Sequence, residues 1–148
     1  MDDKPYEVFC GLSEQFELPK KIKKGLIIKN GKKDGVATYN LKIPVDDEFM
    51  LFKDIVNIFD NPMYGAQTRL ISLSLRHGIP LQYIVEQLRK DKHSDLQSFS
   101  SVISRILKLY IKDGVKSSDD KICPNCGSNN IIYREGCVFC SSCGWSKC

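Results

Sequence analysis

Six of the seven cysteines in this chain fall in its last stretch, at Cys123, Cys126, Cys137, Cys140, Cys143 and Cys148. Two Cys-x-x-Cys-Gly units, Cys123-Pro-Asn-Cys126-Gly127 and Cys140-Ser-Ser-Cys143-Gly144, bracket a short hairpin-like segment. Paired thiolates on two tight turns are the ligand pattern of a zinc ribbon, in which four sulfurs surround one tetrahedral ion. A glycine after each pair permits a positive φ, which lets backbone N–H groups turn toward sulfur. A tetrahedral site takes four ligands, so two of the six thiols are left over.

Three partitions of the thiols compete. Joining Cys123 and Cys126 with Cys140 and Cys143 uses both glycine-terminated turns and leaves Cys137 and Cys148. Joining them with Cys137 and Cys140 forces Val138-Phe139 into a tight turn, where small polar residues are normal, and leaves Cys143 and Cys148. A six-thiol site requires a multinuclear cluster, for which nothing else in the sequence argues. The first partition is preferred on geometry. Ile131 to Arg134, a Glu135-Gly136 turn, Cys137 to Phe139 and Trp145 to Cys148 read as a three-strand ribbon. If the last two strands pair across the 140–143 turn, Cys137 and Cys148 become approximate cross-strand neighbours. Cβ atoms so placed lie ~4.5–5.5 Å apart, within a small adjustment of a disulfide. The simpler alternative is that both cysteines pack as small apolar side chains.

At 148 residues the chain has room for one or two domains with a modest core. No apolar run is long enough to span a bilayer, and the start Met1-Asp-Asp-Lys-Pro5 is not a secretory signal. The expected compartment is therefore cytoplasmic, where clustered cysteines favour metal or redox chemistry over a structural disulfide framework. A net charge of +4 is mild, and most of the basic excess between Lys20 and Lys33 reads as a solvated hairpin rim.

Ahead of the cysteines the sequence predicts an α+β fold, a small antiparallel strand meander followed by about four helices. Tyr6 to Phe9 reads as a short strand, with a polar turn through Ser13. Leu26 to Lys29 and Val36 to Ile43 read as strands joined through Asn30-Gly31, with Pro44 and Asp46-Asp47-Glu48 ending the meander. From Phe52 the period becomes helical through Ile55, Val56 and Phe59, with a stop at Asp60-Asn-Pro62. Leu70, Ile71, Leu73 and Leu75 load the next helix, closed by Gly78 and Pro80. Leu81 to about Arg89 forms a third. A capping box at Ser94-Asp-Leu-Gln97 opens the fourth, apolar at Phe99, Val102, Ile103, Ile106, Leu107 and Tyr110. His77 and His93 sit at helix edges, and no catalytic triad, Walker loop or paired carboxylates appear. The expected division is an α+β domain over 1–114, a flexible linker over 115–121 and a separate zinc ribbon over 122–148.

Cys123-Pro-Asn-Cys-Gly and Glu135-Gly-Cys-Val-Phe-Cys-Ser-Ser-Cys-Gly-Trp-Ser-Lys-Cys148 resemble the cysteine-rich C-terminus of adenosylcobalamin-dependent (class II) ribonucleotide reductases. Pro5-Tyr-Glu-Val-Phe9, the run from Thr68 to Leu88 and Ser98-Phe-Ser-Ser-Val-Ile-Ser-Arg-Ile-Leu107 resemble the preceding domain, called TSCPD. That resemblance implies a role rather than a complete enzyme. In the family, a catalytic barrel ends each turnover with an active-site disulfide, and C-terminal cysteines carry reducing equivalents to it. It implies Cys137 and Cys148 as the relay, with Cys143 and Cys148 as the alternative couple, beside the one structural Zn2+ that the paired turns place on Cys123, Cys126, Cys140 and Cys143. The barrel, with its adenosylcobalamin and nucleotide sites, lies outside this sequence, so the chain is not expected to be catalytic alone. Its implied partners are that barrel, in the same polypeptide or a separate subunit, and an external dithiol reductant.

A zinc ribbon also serves as a nucleic-acid or protein-binding module, in which Tyr133, Phe139 and Trp145 would stack bases. Beyond Lys121 the ribbon carries only Arg134 and Lys147 as cations, too few for a strong phosphate footprint. A binding ribbon also has no need of two extra cysteines, so the reductase reading is preferred.

Overall fold

Two three-stranded antiparallel sheets flank four helices along the chain in the computed structural model, which describes residues 4–11, 18, 21–58, 62–91, 95–118 and 121–148. This is the α+β order expected from the sequence. The Ser13 turn, Phe59, Asp60, His93 and the Ser94 end of the capping box lie outside the described residues. The chain forms two compact units, one over Phe9–Arg69 and one combining Met1–Val8 with Leu70–Cys148.

The first sheet departs from the expected meander in three places. Strands β1 (Leu26–Lys33) and β2 (Val36–Val45) turn at Asp34-Gly35, both with positive φ, and not at Asn30-Gly31. Asp-Gly supplies the same two-residue turn chemistry as Asn-Gly, and turning there lets β2 pair along more of its length. Asn30-Gly31 instead marks a bulge, where the register slips between Lys29 and Gly31. The meander also continues past Pro44. Asp46, at φ 51°, opens a second tight turn into β3 (Glu48–Phe52), so Phe52 ends a strand instead of opening a helix. Pro44 is tolerated because the Val45↔Glu48 pair closes the hairpin, so the neighbouring Pro44↔Phe49 pair is the non-hydrogen-bonded kind. The missing N–H would point toward β1, which reaches only as far as the Leu26↔Lys42 pair.

Helix α1 (Ile55–Ile58) follows Asp54, whose N–H is received by the Asn40 side chain at 3.0 Å. Among the described residues, Ile43 and Ile55 are the buried apolar residues of this unit. Tyr6 to Phe9, expected as a strand, lies outside the named strands. Val8 donates its N–H to Ser72 Oγ at 3.0 Å, and Glu7 pairs with Arg76 at 2.7 Å. Phe9 meets Tyr39 edge to face.

Helix α2 (Pro62–Arg76) ends as its sequence predicts. Gly78 takes φ 72°, Ile79 N–H reaches Ser74 O and Gly78 N–H reaches Leu75 O, the two bonds of a Schellman close. Helix α3 (Leu81–Arg89) buries Ile84 and Val85, and also Glu86. Helix α4 (Phe99–Lys108) buries Phe99, Ile103 and Leu107. Its cap is Ser98, whose hydroxyl accepts from Ser101 N–H at 3.3 Å, four residues beyond the expected position.

The second sheet is the ribbon, with β4 (Ile131–Arg134), β5 (Cys137–Cys140) and β6 (Ser146–Lys147). Glu135 and Gly136, both at positive φ, make the expected turn. Of the segment expected to be a flexible tether, residues 119–120 lie outside the described residues, and the part up to Ser117 is hydrogen-bonded along β4. Gly114 N–H reaches Tyr133 O, Tyr133 N–H reaches Val115 O, and Ser117 N–H reaches Ile131 O. Beyond them the backbone N–H and hydroxyl of Ser118 both donate to the Glu86 carboxylate. A composition that reads as a linker thus becomes an extra edge of the ribbon, because β4 offers an unpaired row of backbone groups. Replacing Glu86 by alanine strips Ser118 of its acceptor and should lower stability by about 1–3 kcal/mol in urea unfolding, with Ser118→Ala costing less.

Candidate metal centre and cysteine pair

The two Cys-x-x-Cys-Gly units fold into the same knuckle. Gly127 N–H donates to Cys123 O at 2.9 Å and Gly144 N–H to Cys140 O at 3.0 Å. Each knuckle is closed one residue later, by Cys123 N–H to Ser128 O and Cys140 N–H to Trp145 O, both at 2.8 Å. Gly127 and Gly144 adopt φ of 70° and 78°, a conformation that a side chain would strain. Each knuckle offers one buried sulfur, on Cys123 or Cys140, and one exposed, on Cys126 or Cys143.

These four Sγ atoms all lie within 4.8 Å of one another. Cys123 approaches Cys143, and Cys126 approaches Cys140, at 3.7 Å. Four thiolates at the ordinary zinc–sulfur distance of ~2.3 Å form a tetrahedron with an edge of roughly 3.8 Å. The spacing therefore suits a four-thiolate metal site, and is far longer than a sulfur–sulfur bond.

The thiols also differ in their readiness to ionise. The Asn125 amide, 3.5 Å from Cys143 Sγ, and the Trp145 backbone N–H bring Cys143 down to about 6. Burial opposes ionisation of Cys140, but the backbone N–H groups of Cys143 and Ser142, with the contacts to Cys123 and Cys126, together lower that thiol. At Cys126 the Ser128 N–H acts downward, yet the contact with Cys143, burial, and the contacts with Cys123 and Cys140 together push it up to about 12. Donors aimed at sulfur invite thiolates, while the crowding of four sulfurs prevents all of them from ionising unaided. A bound dication resolves that conflict, and Cys123, Cys126, Cys140 and Cys143 fit one. A polar fringe braces both knuckles, with Ser128 and Ser142 hydroxyls 2.8 Å apart and Asn130 bonded to each.

The remaining two cysteines are joined. Cys137 and Cys148 form a disulfide with Cα atoms 4.5 Å apart. The ladder explains why these two meet. Strand β5 pairs with β6 as Val138↔Lys147 and Phe139↔Ser146, and the same register sets Cys137 opposite Cys148. A separation near 4.5 Å belongs to the non-hydrogen-bonded position of an antiparallel pair, where side chains come closest. Cys148 is exposed and Cys137 half-buried. Cys143, expected as the alternative partner of Cys148, sits in the four-sulfur cluster. Cys10 stands apart, half-buried, its thiol raised by burial.

Two of the three aromatic residues that base stacking would use are already engaged. Tyr133 is fully buried, and Phe139 lies under the Arg134 guanidinium at 5.2 Å. Sequence reasoning missed Lys108, on α4, whose ammonium donates to the Cys148 main-chain oxygen at 2.6 Å. No spacing rule links a helical lysine to a cysteine 40 residues away. Among the described residues, no helix is long and apolar enough to cross a membrane.

The fold and site define an α+β chain that carries a cysteine ribbon with a four-sulfur cluster and a separate disulfide. Residues 1–112 match the family model described as the NrdJ homologue C-terminal domain, and the chain belongs to that family, consistent with a C-terminal domain related to class II ribonucleotide reductase. The match ends before the cysteine cluster. No curated protein and no solved structure matches the chain.

Elemental analysis should find about one zinc per chain, and Cys123→Ser or Cys140→Ser should abolish it. Asn125→Ala removes a donor to the exposed sulfur Cys143 and should weaken zinc binding roughly tenfold in a chelator competition. Affinity should fall as pH falls, because protons compete for the thiolates.

Proposed function

We propose that this chain is the C-terminal part, or a split subunit, of a ribonucleotide reductase, and that Cys137 and Cys148 relay reducing equivalents to the disulfide of a catalytic barrel outside the chain. The observation that carries the reading is the sorting of the ribbon's sulfurs. Four gather in a cluster suited to a metal, while Cys137 and Cys148 are held apart from it and joined to each other. Family membership supports the association with a reductase.

The electron balance is that of thiol–disulfide exchange. A thiolate of an external dithiol attacks one sulfur of the pair, the Cys137–Cys148 bond breaks, and the second donor thiol displaces the mixed disulfide. Two electrons and two protons pass to the pair. The reduced pair then gives them to the barrel disulfide by the same two displacements and closes again. Exposure of Cys148 gives the donor a way in.

Zinc on Cys123, Cys126, Cys140 and Cys143 would have no open coordination position, so its contribution is structural. It would stabilise a ribbon over 122–148 that is well below the roughly 40 residues at which a domain usually holds together unaided. Adenosylcobalamin and nucleotide belong to the barrel, and no residue of this chain is assigned to them. The chain alone is not expected to turn over nucleotides.

Cys137→Ser and Cys148→Ser, each assayed in the assembled reductase with a dithiol donor, should abolish multiple turnover while leaving one reduction per active site and about one zinc per chain. Unchanged multiple turnover in both variants would reduce the ribbon to a structural or docking part.

A further inference from the structure

Strand β6 is only two residues long, and its ladder to β5 consists of Val138↔Lys147 and Phe139↔Ser146. Cys148 lies one step beyond and is exposed. At a non-hydrogen-bonded position its main-chain groups point away from β5, so the ladder gives Cys148 no backbone bond of its own. Strand ends of this kind fray unless tied down. A disulfide at such an end closes poorly unless another element fixes it.

The tie comes from the last turn of α4. Lys108 is 7% exposed, and its Nζ donates to the Cys148 main-chain oxygen at 2.6 Å. Among the described residues no Asp or Glu side chain pairs with it, and burial together with the nearby Arg89 lowers its pKa from the ordinary lysine value. Burying an ammonium is costly unless it is hydrogen-bonded, and simple packing does not require a lysine there. The same turn also supports the other side of the pair. Gly136, next to Cys137, lies so close that a Cβ there would come within 3.3 Å of Leu109 Cδ2 and 3.6 Å of Lys108 O. Asp113, shortly after the helix, accepts the Glu135 N–H at 2.8 Å. Both halves of the cysteine pair are therefore held from one helix end.

We propose that Lys108 is the positioning residue of the cysteine pair, fixing the Cys148 main chain so that its sulfur stays opposite Cys137 and the disulfide closes efficiently. The proposal rests on the relay reading, because positioning matters only if the pair opens and closes during work. Lys108 acts through the Cys148 main chain.

The test equilibrates the full chain, zinc-loaded, with dithiol–disulfide buffers and reads the fraction of closed pair for the native protein, Lys108→Met and Lys108→Arg. Loss of a charged hydrogen bond should lower the closing constant of Lys108→Met roughly tenfold, which for a two-electron couple makes the potential about 30 mV less negative. Lys108→Arg, which keeps a donor cation, should stay within about threefold of native. Zinc content should be the same in all three. A native potential in Lys108→Met overturns the proposal, as does an equal shift in Lys108→Arg. Zinc loss accompanying the shift would make Lys108 a general support of the ribbon and overturn it as well. If the native pair fails to equilibrate with dithiols, the relay reading falls instead. Lys108 is then judged by closure on diamide oxidation, where identical yields in native and Lys108→Met overturn its positioning role and a lower yield in Lys108→Met upholds it.

Discussion

The register between β5 and β6 is the constraint on which the tail depends. It is set by the second knuckle, where Cys140 N–H reaches Trp145 O and Gly144 N–H reaches Cys140 O. Once that turn is fixed, every later pair is fixed, and Cys137 must face Cys148. A slip of one residue would move Cys148 off the Cys137 position and turn its side chain to the other face of the sheet. The same knuckle supplies Cys140 and Cys143 to the four-sulfur cluster. The cluster and the disulfide are thus two consequences of one turn, and a metal that stabilises the turn also stabilises the meeting of the pair.

The ribbon is not an isolated appendage. Residues 114–118 run along β4, Glu86 of α3 receives Ser118, and the end of α4 reaches both Gly136 and Cys148. This arrangement changes what a relay requires. A tail on a free tether would reach a distant site by diffusion at high effective concentration. A tail bonded to its own helices carries the pair on a defined support, so under the proposed relay delivery to a barrel would depend on how that support presents Cys148. The polar anchors involved, a buried glutamate and a buried lysine, are each satisfied by a single segment of the ribbon. They are also far more sensitive to loss of a partner than apolar packing would be.

Much of this was legible in the sequence, for reasons that are local. The knuckles are spelled by Cys-x-x-Cys-Gly, the β4–β5 turn by Glu135-Gly136, and the α2 close by Gly78 before Pro80. The meeting of Cys137 with Cys148 followed from counting residues outward from one turn. Competition between local signals defeated the reading elsewhere. Asn30-Gly31 and Asp34-Gly35 both code for tight turns, and strand length decided between them. Pro44 read as a strand terminator, although it falls where no neighbour needs its N–H. The polar run after Gly114 has linker composition, yet its backbone is held by β4, and composition carries no record of an available sheet edge. No local pattern marks Glu86 or Lys108, and only the tertiary fold brings Ser118 and Cys148 to them.

The central claim is that the ribbon's six sulfurs divide into four that hold a metal and two that exchange. The most direct measurement is mild dithiol reduction of the native protein, followed by alkylation, peptide mapping and metal analysis on the same sample. The account predicts that labels appear on Cys137 and Cys148 together while about one zinc per chain is retained. Release of zinc in step with that labelling, or labels that reach Cys126 and Cys143 before the Cys137–Cys148 pair opens, would contradict it.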